Sequence, residues 1–123
     1  MINDALLFLY LANSVFIINH EIDSAYWQEW KLFHIKGGIN TFLIIHFPVL
    51  FFILIGILEI NKGSNAGYIL SMILSIGGIS AYIIHAYFLK KGNREFDTFL
   101  SKFILKIILI LSIIELLLTM YLF

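Results

Sequence analysis

The chain contains no cysteine. Disulfides, thiolate nucleophiles and sulfur-ligated metal sites are therefore excluded. Proline occurs once, at Pro48. Charge is scarce: Asp, Glu, Lys and Arg make up 13% of the 123 residues, against about 25% in soluble domains. Eight basic residues balance eight acidic ones, so nucleic-acid binding by phosphate neutralisation is not expected. The amino-terminal apolar run lacks a basic leading region and a small-x-small cleavage site. It is expected to be a retained span and not a removed signal peptide.

What fills the space is hydrocarbon. Apolar residues make up 61% of the chain, and the mean hydropathy is +0.97. A domain of this size has too much surface for its volume to hide that many apolar side chains from water. A bilayer is the solvent that suits it. Four apolar stretches stand out, at about residues 4–22, 39–58, 66–89 and 99–123. Each approaches the ~20 residues that cross ~30 Å of hydrocarbon at 1.5 Å per residue. The expected fold is all-α: a single domain, 1–123, of four transmembrane helices in a bundle. Asn3, Asp97 and either Ser64 or Asn65 are candidate N-caps. "KGSNAG" (62–67) and "KKGNREFD" (90–97) have the Gly and charge content of tight polar turns.

Between the first two spans, "SAYWQEWKLFHIKGG" (24–38) places Tyr26, Trp27, Trp30 and Phe33 near one helical face. That pattern predicts a short amphipathic helix over about 24–36, lying in the interface with its tryptophans at headgroup depth. Gly37 and Gly38 then let the chain turn. Seven basic residues (Lys31, Lys36, Lys90, Lys91, Arg94, Lys102 and Lys106) flank the first and third connections, and only Lys62 lies in the second. This bias predicts cytoplasmic first and third loops and both termini outside.

Ionisable groups inside spans are costly, about 2.5–3.5 kcal/mol or more at the bilayer centre, so each one asks for a use. His20 and Glu21 end the first span, in "IINHEID" (17–23). His46 lies about two turns into the second, and His85 about one turn from the end of the third. All three histidines fall within the cytoplasmic leaflet. On the third span Ser71, Ser75, Gly78, Tyr82 and His85 form one stripe suited to close helix contact. Pro48 removes the backbone bond to the Ile44 carbonyl, leaving an acceptor near His46.

The histidines are candidate ligands for a divalent metal, Zn or Fe. Glu21 and Asp23 are candidate acid–base groups or additional ligands. The competing interpretation makes the same residues interhelical hydrogen-bond partners. His34 is expected to face water. Trp27, Trp30, Pro48, Tyr82 and Glu115 are candidate structural or interface residues. Glu115, too far along its helix to share the histidine site, is expected to bond nearby hydroxyls or Asn13, or to mark an oligomer contact.

"HEIDSAYWQEW" (20–30), "FLIIHFP" (42–48), "HA" (85–86) and "REF" (94–96) together resemble a bacterial family of small four-helix membrane proteins known as a domain of unknown function. Members carry H-E-[LI]-D-A…E-W, then L-H-x-P, then H-A…H…E-F. The resemblance covers most of the chain and implies that His20, Glu21, Asp23, Glu29, Trp30, His46, Pro48, His85, Glu95 and Phe96 match the pattern. The chain departs from it at Phe88 or Leu89, where members carry another His, and at Asn93 in a His-rich turn. A four-histidine site is therefore not implied. The family supplies no activity.

Three functions are compatible with these residues. The first is a metal-dependent or acid–base membrane enzyme acting on a lipid-like or small substrate. The second is a binding or assembly subunit with structural histidines. The third is an oligomeric channel or transporter component, for which Asn13 and Ser71 supply only thin polar continuity to the far side. Membrane lipids and a second copy or another membrane protein are the expected partners, and the bacterial inner membrane the expected location.

Overall fold

A computed structural model describes residues 1–123. The apolar runs form four long helices: α1 (Ile2–Tyr26), α3 (Gly38–Asn61), α4 (Asn65–Lys90) and α5 (Phe99–Leu122), with a single helical turn, α2 (Glu29–Leu32), after the first. All four long helices have the length and hydropathy to cross a membrane, which makes the chain a multi-pass membrane protein. They are packed in a ring in chain order, α1 against α3, α3 against α4, α4 against α5, and α5 back against α1.

Short connections make this an up-down-up-down bundle. The α1–α3 and α4–α5 connections share one end, where Trp27 meets Phe96 with ring centroids 6.3 Å apart. The α3–α4 turn and both termini share the other. There the Tyr68 hydroxyl donates to Asn3 Oδ1 (3.1 Å) and the Tyr68 ring meets Phe123.

The bundle is dressed for lipid. Phe8, Phe47, Phe51, Leu54, Ile73 and Leu117 are among many large apolar side chains left exposed, which would be untenable in water but is the low-energy surface in hydrocarbon. The interior combines an apolar core, with Leu6, Tyr10, Ile53, Ile60 and Ile108 among its members, with small and polar residues. Ser71, Ser75, Ser112, Thr119, Asn13 and Glu115 are all fully buried. Small residues let helix backbones approach, which in lipid is what drives association. At Gly78 a side chain would collide with Ser112 Oγ of α5, so glycine there sets the α4–α5 spacing.

The end of the first span and the extent of the interfacial helix differ from expectation. The α1 helix does not stop near residue 22 but continues to Tyr26, because Asp23, Ser24 and Ala25 keep helical backbone bonding after the apolar run has ended. The predicted interfacial helix over 24–36 is accordingly reduced to the one turn of α2. Gln28 (φ 56°) and His34 (φ 54°), both in the left-handed region, bound that turn and prevent a continuous amphipathic face. Of the expected N-caps one agrees and two differ. Ser64 caps α4, accepting from Gly67 N (3.1 Å), whereas Thr98 and not Asp97 caps α5, accepting from Ser101 N (3.1 Å). Asp97 instead pairs with Lys102, and Asn3 lies inside α1. Gly37 (φ 101°) and Gly38 (φ 59°) make the turn into α3, in a region that costs other residues dearly.

A candidate metal centre at one end of the bundle

His20 lies near the end of the apolar run of α1, which continues as helix to Tyr26. The reversal at Gln28 then folds Glu29 back over it, and the last turns of α4 bring up His85. Ligand atoms of His20, Glu29 and His85 lie within 4.8 Å of one another. His85 Nε2 meets Glu29 Oε1 at 3.0 Å, and the His20 and His85 rings are edge-to-face with centroids 4.8 Å apart. His20 and His85 are 3% and 2% exposed. Their Nδ1 atoms have no hydrogen-bond partner in the protein, an expensive condition for a buried polar atom. Burial opposes ionisation of Glu29, but the His85 hydrogen bond and the nearby imidazoles outweigh it and hold the carboxyl below the usual carboxylate range. Two imidazoles and an anionic carboxylate are a ligand set suited to Zn²⁺ or Fe²⁺.

Phe96 closes this centre. Its ring lies 4.1 Å from that of His85 and 5.6 Å from that of His20, and it is 1% exposed. The residue has φ 64°, a conformation that costs a non-glycine residue about 1–2 kcal/mol. Burying a full aromatic ring, worth about 1.5–3 kcal/mol, offsets that cost. The third connection is thereby pinned over the histidines.

His46 does not join the group. Its Nε2 lies 2.6 Å from Glu21 Oε2 and its Nδ1 lies 2.6 Å from the Phe42 carbonyl. A carbonyl can only accept, so Nδ1 carries a proton. A second proton must then sit between Nε2 and the Glu21 carboxylate, whichever of the two owns it. The pair is an adjoining proton-holding dyad, and His46 takes no part in the cluster of mutually close ligand atoms. The carbonyl it uses is that of Phe42, one turn back, and not that of Ile44, the acceptor freed by Pro48. Pro48 itself is exposed on the lipid face of an otherwise continuous α3. Asp23 is half-buried and also lies outside the cluster. His34 is exposed. Trp30 packs on Phe42, ring centroids 5.5 Å apart, and Trp27 on Phe96. Tyr82 is half-buried on α4, one turn before His85.

Glu29 is the ligand that residue patterns alone assigned to no definite role. The chain reverses between it and Glu21, at Gln28 (φ 56°). The signal that pointed to it, and to Phe96, was the resemblance of "HEIDSAYWQEW" and "REF" to a family motif.

Far from this centre, Glu115 is 0% exposed. It accepts from Asn13 Nδ2 (2.7 Å) and Ser71 Oγ (2.7 Å). Asn13 also donates to Ser112 Oγ (3.1 Å), and Thr119 Oγ1 donates to the Glu115 carbonyl (2.7 Å). This carboxyl ties α1, α4 and α5 together inside the bundle, so it has no surface to offer a neighbouring copy.

Four apolar helices closing over a buried His–Glu cluster define a small multi-pass membrane protein with a candidate metal site. Residues 6–122 match the family of unknown function DUF6713, and the chain belongs to that family. No curated protein and no solved structure matches it.

Proposed function

We propose that the protein is a membrane-embedded metal-dependent enzyme, with His20, Glu29 and His85 holding a divalent Zn or Fe and the Glu21–His46 dyad beside them handling protons. The observation that carries this is the convergence, within 4.8 Å, of ligand atoms from three separate elements, two buried histidines and a half-buried carboxylate. Three protein ligands with a further position open is the pattern of catalytic zinc. A bound metal there would supply Lewis-acid polarisation or an activated water. The substrate would be lipid-like, or small and delivered from the bilayer side. Purified protein should contain close to one Zn or Fe per chain by elemental analysis, and chelation should lower its thermal stability. Metal-free protein whose stability neither chelator nor added zinc moves would defeat this proposal. It would favour the assembly alternative, in which the Glu29–His85 and Glu21–His46 pairs serve only to lock helices together.

The distribution of basic residues supports a cytoplasmic position for the metal end, in a bacterial inner membrane. The cysteine-free chain is a ready background for testing it. A single cysteine at Gly92 should react with an impermeant maleimide only after the cells are opened, and one at Gly63 should react in intact cells. The opposite pattern would reverse the orientation.

A further inference from the structure

A groove of about 420 Å³ runs between α1, α3 and α4, within the ~300–1,000 Å³ usual for small-molecule sites. Tyr10 lines one end, and His20 and Glu21 line the other. Ten to eleven helical steps along α1 separate those ends, about 15–16 Å at 1.5 Å per residue. That is close to half of the ~30 Å hydrocarbon thickness. Between the ends the walls are almost wholly aliphatic and aromatic, with Val49 and Phe52 from α3 and Ile73 from α4. The groove is open toward lipid beside Gly77, where an added side chain would meet nothing within 4 Å. No Lys or Arg lines it, and its one charged lining residue, Glu21, is acidic.

We infer that this groove binds a single-chain lipid with a compact, uncharged oxygen-bearing end, of which a long-chain alcohol is the simplest example. The chain lies along α3 and α4 and enters from the bilayer past Gly77. The polar end stops at His20 and Glu21. Length and lining together select one hydrocarbon chain. In metal-free protein the lining offers no basic residue and one carboxyl at the polar end, so phosphate and carboxylate heads would be anions without a counter-charge inside the membrane. His20 belongs both to the groove and to the proposed metal centre, so this assignment rests on that proposal for the chemistry at the polar end and not for occupancy of the groove.

The test uses the full chain in nanodiscs and a hexadecanol carrying a diazirine at its methyl end. Photolabelling should saturate and map to the Tyr10 end of the groove, in peptides holding Tyr10, Phe52, Ile53 and residues 70–74. In chelator-treated protein unlabelled hexadecanol should compete, and palmitate and lysophosphatidic acid should compete far less well. Gly77→Trp and Val49→Phe fill the groove from opposite walls, and each should abolish saturable labelling, because the chain no longer has room to lie there. Ile110→Trp, on the exposed face of α5, should leave labelling unchanged. Undiminished labelling in both groove variants, or equal competition by the anionic lipids, would overturn the inference. Zinc content measured on the same preparations separates the two proposals. Labelling that is saturable and groove-dependent in metal-free protein would sustain the lipid site and sink the metal centre. Equimolar zinc with non-saturable labelling would do the reverse.

Discussion

Replacing His85 with alanine should weaken zinc binding by more than about a hundredfold, whereas replacing His46 with alanine should change it by no more than about the tenfold seen for mild outer-shell losses. The asymmetry follows from position. His85 shares with Glu29 and His20 a cluster of ligand atoms within 4.8 Å, and its removal leaves two ligands where three are needed. Both His46 nitrogens already have partners, Glu21 and the Phe42 carbonyl. Its loss frees a neighbouring carboxyl but takes nothing from the cluster. Affinities would be measured by competition with a chromophoric chelator, with helix content checked by circular dichroism. Equal losses in the two variants would put His46 back among the ligands and require the bundle to rearrange on binding. Glu29→Gln should resemble His85→Ala, because an amide oxygen is a poor substitute for an anionic ligand to a dication.

The second large effect lies at the other buried carboxyl. Glu115→Leu removes the acceptor of both the Asn13 amide and the Ser71 hydroxyl at a place no water reaches. The freed Asn13 N–H costs about 1–3 kcal/mol by the measure of soluble proteins, the Ser71 hydroxyl keeps Thr119 Oγ1 as a partner at 2.8 Å, and single interhelical bonds in a bilayer protein average about 0.6 kcal/mol with a maximum near 1.7. The expected destabilisation is therefore about 1–4 kcal/mol. Glu115→Gln keeps a carbonyl acceptor in the same place and should cost about 1 kcal/mol or less, one net hydrogen bond. Unfolding in mixed micelles, driven by a rising fraction of denaturing detergent, gives both values. A leucine variant as stable as the parent would show that the polar network contributes nothing to holding α1, α4 and α5 together. Zinc binding should be untouched by either change, because Glu115 makes no contact with the metal centre.

Composition and hydropathy alone led to an all-helical membrane bundle with four spans, because the solvent a helix faces is written in its average polarity and its length in the run of apolar residues. They also marked His20, His46, His85 and Glu115 as groups in need of partners, since a polar group in hydrocarbon cannot be left to water. Which partner each one takes was decided by tertiary structure. Helix rotation turns His46 onto Glu21 and away from His85. The left-handed residues Gln28 and His34 curtail the interfacial helix and fold Glu29 back over the histidines. A residue at φ 64° drives the Phe96 ring down onto them. None of these leaves a periodic trace. They depend on loop paths only a few residues long and on the relative rotation of helices whose apolar faces, in lipid, carry almost no directional signal.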